Sequence, residues 1–324
     1  MNQGSTQIEI NEVGPRDGLQ IEPVFVPTDE KVVFVNALSA CGFKRIEVSS
    51  MTSPKAIPAL ADAQDLLRRI SRTPGTIYTA LIPNVRGLER ALEVGVDEMN
   101  LVMSASETHN RANLRMTREQ SLGELKAILQ HARAQGDVPC NVSLSTAFGC
   151  PFEGDISPDD VVALASDLVA AGARGVTLCD TTGMAFPTQV AALCDQVARA
   201  MGERIPVTLH LHNTRGMALA NAVAGWQTGI TRFDAAVGGL GGCPYAPGAS
   251  GNVNTEELVH MFACMGVDTG VDLRALLEIV STLPGLVQRT MTTPLLTAGP
   301  RLQTHPAPAW LAERFPQQGS ASPA

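Results

Sequence analysis

The chain has 324 residues, of which 44% are hydrophobic and 17% charged, with a net charge of −8 and only 4% aromatic residues. That balance is ordinary for a globular protein, and it argues against nucleic-acid binding, which needs a basic face with stacking rings. No apolar run approaches the length of a membrane span and the N-terminal residues lack a signal-peptide pattern, so a cytoplasmic location is expected. The seven cysteines are irregularly spaced with no CxxC pair, which predicts mostly buried, reduced thiols rather than a zinc knuckle or a redox couple.

In chain order, short apolar strands alternate with longer helical stretches. Ile8–Val13 reads as a first strand, followed by a helix over Asp29–Gly42. Arg45–Ser50 is a second strand with a helix over Ala59–Ile70. Thr76–Pro83 and Asn84–Gly95 form a third pair, and Glu98–Ser106 with Arg118–Gly136 a fourth. The beat continues through Cys140–Phe148 and Pro158–Gly172, Gly175–Thr181 and Pro187–Gly202, then Pro206–His212 and Met217–Gly229. It closes with Arg232–Gly241 and Thr255–Gly266. Strands that alternate with helices in this way predict parallel pairing with right-handed crossovers. Eight such units predict an α/β fold closed as a (β/α)8 TIM barrel. An open doubly wound sheet is the competitor, weakened because no G-x-G-x-x-G follows the first strand. Residues 1–300 are expected to be one barrel domain. Residues 301–324, rich in Pro, Ala and Ser, are expected to be a flexible tail with a short helical turn at Trp310–Phe315.

Barrels of this type carry their chemistry at the carboxyl ends of the strands. The reactive residue types fall there: Arg16 and Asp17 after the first strand, Glu47 and Ser50 on the second, Asp180 and Thr181 at the sixth, His210 and His212 on the seventh. Two histidines at i and i+2 on a strand share one face, here the barrel interior. Buried imidazoles need partners, and either nearby carboxylates or a divalent cation would satisfy them. With Asp17 and the amide oxygen of Asn252 the set suits Mg²⁺ or Mn²⁺, with Zn²⁺ a less fitting occupant. Arg16 is either a surface ion-pair partner or a group that stabilises charge developing on a carbonyl oxygen.

The eighth strand runs into GGLGGCPYAPGASGN, Gly238–Asn252. Cys243 in that stretch is either a small residue in a tight turn or a proton donor on a glycine-rich catalytic lid that closes over bound substrate.

Together, EVGPRDGLQ, HLHN and GGLGGCPYAPGASGN resemble the 3-hydroxy-3-methylglutaryl-CoA lyase family of the DRE-TIM metallolyases, from about Ile8 to Thr290. The resemblance implies a carbon–carbon lyase that cleaves this acyl-CoA to acetyl-CoA and acetoacetate, with a place in leucine degradation. It implies Asp17, His210, His212 and Asn252 as ligands of Mg²⁺ or Mn²⁺, and Arg16 as the group that holds the enolate. Cys243 is implied in proton transfer, and Glu47, Asp180 and Glu256 as acidic groups supporting the site. Gln20, Ser50, Thr177 and Thr181 are implied as neighbours of substrate or ligands. The base is either His210 or Asp180, and a homo-oligomer is expected.

Three features depart from the family pattern. Asn213 follows the second histidine where many members have Asp. The segment Ala105–Arg115 carries His109 and Arg111, which either line the acyl pocket or sit on a basic surface loop. The C-terminal cysteine of some animal members is absent. Two alternatives therefore stand beside the main reading: cleavage of a related thioester such as citramalyl-CoA, and an inactive barrel kept for binding. Lys55, Arg86, Arg111 and Arg115 are candidates for the CoA phosphates.

Overall fold

The structure, a computed structural model, describes residues 6–242 and 251–314. Eight parallel strands close into a barrel in sequence order. They are β1 (Glu9–Glu12), β2 (Arg45–Ser50), β3 (Ile77–Leu81), β4 (Glu98–Ser104), β5 (Cys140–Ser145), β6 (Gly175–Asp180), β7 (Val207–Leu211) and β8 (Arg232–Ala235). The closing seam pairs β1 with β8, Glu9 opposite Arg232 through Glu12 opposite Ala235. The expected (β/α)8 architecture is therefore the observed one.

The helices lie between the strands: α1 (Thr28–Ala40), α2 (Ala63–Arg69), α3 (Val85–Glu93), α4 (Glu107–Leu114), α5 (Arg118–Ala134), α6 (Pro158–Ala170), α7 (Pro187–Met201) and α8 (Ala218–Gln227). After β8 come α9 (Thr255–Cys264), α10 (Leu273–Leu286), α11 (Pro294–Ala298) and α12 (Ala309–Arg314). Local sequence sets many of their starts. The Asn84 side chain accepts from Gly87 N to begin α3, and Thr117 with Gln120 forms a reciprocal capping box at α5. Proline at the first turn opens α6 and α7, where its missing N–H costs nothing.

Several elements differ from expectation. β8 stops at Ala235, and a 3-10 turn at Val237–Gly239 replaces the rest of the expected strand. Gly238 and Gly239 adopt left-handed φ angles there, which end a strand. The segment after β4 folds as α4, capped by the Ser106 side chain, rather than as a loop. α10 was not expected; Asp272 caps it with two backbone bonds. The short turn near the C-terminus is present as α12, and Phe315 onward lies outside the described residues.

Apolar residues of the strands face the helices, and polar ones fill the barrel interior. On β5, Asn141 and Ser143 turn inward while the fully buried Val142 and Leu144 pack outward. Barrel interiors are usually layered with branched aliphatic side chains. Here Thr79, Asn100, Asn141, Thr177 and Thr208 surround a 40 Å³ interior cavity instead. No helix among the described residues is long and apolar enough to cross a membrane. Of the described cysteines, Cys41, Cys140, Cys150, Cys179 and Cys194 are buried and Cys264 is exposed, and none is in a disulfide.

Candidate metal centre at the carboxyl mouth

The chain leaves β1 through a single wide turn, Gly14–Gly18. The N–H groups of Arg16, Asp17 and Gly18 all point at the carbonyl of Val13, at 3.2, 2.7 and 3.2 Å. This wide coil projects Arg16 and Asp17 over the barrel mouth. A side chain at Gly14 would place its Cβ 2.6 Å from the Glu12 carboxylate and would push that carboxylate off its hydrogen bonds. Glu12 is fully buried and accepts from Gly14 N, Val237 N and the Thr255 hydroxyl. It ties the end of β1 to the end of β8 and to the start of α9. Burial lifts its pKa to about 8, against the pull of those three hydrogen bonds.

Asp17, His210 and His212 converge with one ligand atom each within 4.8 Å of one another. The two imidazole Nε2 atoms are 3.1 Å apart, and the Asp17 Oδ2 is 4.0 Å from the Nε2 of His210. Donors about 2.1 Å from one ion sit roughly 3.0 Å apart when adjacent and roughly 4.2 Å apart when opposite. The observed separations fall on that scale.

Asn252 completes the group. Its amide nitrogen donates to Asp17 Oδ2 at 2.8 Å and to Leu240 O at 2.9 Å, which fixes the orientation of the amide. Its Oδ1 is then buried without a hydrogen-bond partner among the described residues. A buried amide oxygen left bare is costly, and a cation is the partner that suits it. The donor set of two imidazoles, a carboxylate and an amide oxygen therefore fits a divalent cation. Asn252 is brought in by backbone pairing with His212 and by a close crossing at Gly251, where a Cβ would sit 1.9 Å from Gly239 O.

Electrostatics reinforce the arrangement. Burial by itself would raise the pKa of Asp17, but Arg16, His210 and His212 bring it down to about 2. Arg16 is buried and lies between two carboxylates, paired with Asp17 and bound to Glu47 Oε2 at 2.6 Å. Asn100 holds the other Glu47 oxygen at 2.9 Å. The Glu47 pKa is nonetheless raised, because burial outweighs these bonds.

His210 Nδ1 lies 3.2 Å from Asp234 Oδ2, and Asn11 donates to the other oxygen of Asp234 at 2.7 Å. Burial opposes charge on His210, but the Asp234 bond and the Asp17 charge raise its pKa on balance. A carboxylate behind a ligating imidazole fixes its tautomer and orientation. Asp180 closes the β6 side. Its Oδ1 accepts from Met184 N and Ala185 N at 2.8 and 3.1 Å, and its Oδ2 is buried with no hydrogen-bond partner among the described residues. Burial raises its pKa to about 6.

The remaining expected residues are spread more widely. Ser50 is buried at the end of β2 against the Thr52 hydroxyl at 2.7 Å, and Thr181 accepts from Thr146 N at 3.0 Å beside Asp180. Gln20 is half-buried just beyond the Asp17 turn. Thr177 lies one interior layer below the imidazoles, bonded to Asn141; Cys179 is the β6 residue level with His210. Glu256 sits behind the site, accepting from Gly238 N at 3.0 Å and anchoring the turn that leads toward the glycine stretch. Cys243 and the rest of the expected lid, up to Ser250, lie outside the described residues.

His109 is buried in α4, with its Nδ1 2.7 Å from the Ser104 hydroxyl, and Arg111 is exposed and paired with Glu107. The segment is thus a packed helix rather than a loop, with His109 buried and Arg111 on its exposed face. Asn213 uses its side-chain oxygen on Ala218 N at 3.2 Å, which starts α8. Glu12 and Asp234 were missed from sequence. Asp234 carried a weak signal, an acid in an otherwise apolar strand, and the register that sets it opposite His210 exists only in the closed barrel.

The fold and the residues gathered at its mouth define a (β/α)8 barrel with a candidate divalent-cation site. The HMGL-like family model matches residues 7–283, and the chain belongs to that family. It is 47% identical over 275 residues to the hydroxymethylglutaryl-CoA lyase YngG of Bacillus subtilis, covering 84% of this chain and 90% of that one. It is 44% identical over 306 residues to the (R)-citramalyl-CoA lyase of Chloroflexus aurantiacus, covering 90% and 95%. Among solved structures, an HMG-CoA lyase from Acinetobacter baumannii in complex with coenzyme A and 3-methylmalate matches with a TM-score of 0.90 at 47% identity. That match covers 95% of this chain and all of the other.

Proposed function

We propose that this carbon–carbon lyase cleaves 3-hydroxy-3-methylglutaryl-CoA to acetyl-CoA and acetoacetate. The observation that carries the reading is the convergence of Asp17, His210, His212 and the bare Asn252 oxygen beside Arg16, in a chain of this family. Asp17, His210, His212 and Asn252 would hold Mg²⁺ or Mn²⁺. Such a cation, when bound, acidifies a coordinated hydroxyl and orients it.

Asp180 accepts the proton of the tertiary hydroxyl at its open Oδ2. It suits this role better than His210, whose ring nitrogens face Asp234 and His212. The bond between C2 and C3 then breaks. Its electron pair goes to the thioester as an enolate, and C3 becomes the ketone of acetoacetate. Arg16, fixed by Glu47 and Asp17, stabilises the enolate oxygen without reorganising. Cys243 delivers a proton to C2, and the proton taken up by Asp180 replaces it, so the reaction needs no external acid and no redox cofactor. Glu47, Glu256 and Asp234 hold these groups in place, and Ser50, Thr181 and Gln20 would contact substrate from the β2, β6 and β1 ends.

The test is a cleavage assay on the purified chain with Mg²⁺ or Mn²⁺, comparing this thioester with citramalyl-CoA, which the C. aurantiacus relative keeps in contention. The expected result is metal-dependent release of acetoacetate, abolished by chelation and faster than pyruvate release from citramalyl-CoA. Absence of acetoacetate with either metal, or turnover unaffected by chelation, would refute the assignment.

A further inference from the structure

Arg215 stands three residues beyond His212, on the segment leading from β7 to α8, at the same end of the barrel as the metal-ligating set. Its Nη1 donates to two backbone carbonyls, Thr182 O at 3.1 Å and Gly183 O at 2.9 Å. Both belong to the turn that follows Asp180, so the guanidinium bridges the ends of β6 and β7. One nitrogen takes both acceptors. The Nε and Nη2 edge, a fork that matches two oxygens of a carboxylate or phosphate, carries no hydrogen bond among the described residues.

Nor does Arg215 have a carboxylate within ion-pair distance there, whereas Arg16, Arg45 and Arg289 each do. The stretch 243–250, which joins the described parts of the mouth, contains no Asp or Glu that could supply one. The side chain is exposed, and its charge reaches Asp180. A cation pinned to the framework, with its fork open and no acidic partner, is already organised to receive an anion. Binding one there forfeits little side-chain freedom.

We propose that Arg215 is an anion-binding residue of the acyl-CoA site, taking a pair of substrate oxygens on its Nε/Nη2 edge. This rests on the lyase reading above. The substrate offers two sources of such oxygens, the free carboxylate of the acyl group and the phosphates of CoA. Either makes Arg215 a determinant of substrate affinity, and the carboxylate would also make it a determinant of which hydroxy acid is accepted.

The test compares wild type, Arg215→Gln and Arg215→Lys on 3-hydroxy-3-methylglutaryl-CoA and on the N-acetylcysteamine thioester of the same acid, which has no phosphates. Arg215→Gln should raise KM about ten- to hundredfold on the CoA thioester, with kcat changed much less and the thermal midpoint lowered only slightly by loss of the two carbonyl contacts. Arg215→Lys should fall between, since it keeps the charge and loses the fork. It also carries the test if the Gln variant does not fold. The same KM ratio on the short thioester assigns the carboxylate as ligand; a ratio near one assigns the phosphates. Unchanged KM on both thioesters overturns the proposal. Calorimetric binding of 3-hydroxy-3-methylglutarate and of CoA separately, to wild type and variants, decides the point without turnover. A wild type that cleaves neither thioester defeats the 3-hydroxy-3-methylglutaryl-CoA reading instead. Equal binding of both ligands to wild type and variants defeats this one.

Discussion

The two ends of the barrel interior are both charged, yet only one of them is chemically open. At the amino-terminal end Arg45 reaches both Glu98 oxygens at 3.0 Å and pairs with Glu9, which also faces Arg232 at 3.5 Å. These charges satisfy one another. At the carboxyl end Asp17, His210 and His212 crowd together, and the Asn252 Oδ1 and Asp180 Oδ2 have no hydrogen-bond partner among the described residues. The difference teaches that buried polarity alone does not mark a site. What marks it is unpartnered oxygens lying beside convergent ligating side chains, since single unpartnered atoms such as Asn11 Oδ1 and Gln189 Oε1 occur elsewhere.

The comparison breaks most sharply at Asp17. Asp17→Ala should lower kcat at least about a thousandfold while leaving the fold intact, because it removes a ligand and frees Arg16. Steady-state kinetics beside circular dichroism check this, and near-normal turnover would put the two ends on an equal footing.

Glu12 should separate stability from chemistry. Glu12→Ala leaves three buried donors without an acceptor and should cost about 3–5 kcal/mol in denaturant unfolding. Glu12→Gln keeps the acceptor for the two backbone N–H groups and should cost about 1 kcal/mol. The sign of its pH effect follows from its raised pKa. Between pH 4.5 and about 8 the folded state holds a proton that the unfolded state has released. The Glu12 contribution to stability therefore falls as pH rises through that window, and Glu12→Gln should flatten the slope.

At the closed end, Arg45→Met should cost about 2–3 kcal/mol. This is less than for a fully buried pair, because Glu9 and Glu98 are partly exposed. Its kcat should stay within about twofold of wild type; a large loss of kcat would mean that the two ends are coupled.

The smallest effect sharpens the open end. With Asp180 as base, kcat/KM should decline below pH about 6, tenfold per unit, as the carboxyl takes up the proton it must be free to accept. Arg215 and His210 favour its charged form, so Arg215→Gln should move that limb upward. An acid limb that ignores Asp180→Asn would remove it from the role.

Much of this was legible in the sequence because it is periodic or local. The strand–helix alternation needed only patterning, and the i, i+2 spacing of His210 and His212 put both rings on one face of β7. The Arg16–Asp17 pair announced itself by lying past a strand end. What stayed hidden depends on closure. Asp234 matters because β8 pairs with β7 at His210, and Glu12 because β1 meets β8 and α9. The placement of Thr177 below the imidazoles is likewise a matter of register, and that of His109 a matter of the unforeseen α4. The first cannot be counted from one segment alone; the second rests on a local cap at Ser106 that the strand–helix reading passed over.

The central claim is that one divalent cation sits among Asp17, His210, His212 and Asn252. Pulsed electron paramagnetic resonance of the Mn²⁺-loaded protein tests it most directly. The account predicts one tightly held Mn²⁺ per chain with nitrogen couplings from two imidazoles, reduced to one in His212→Ala. Mn²⁺ bound without imidazole nitrogen, or with the same spectrum in His212→Ala, would contradict it.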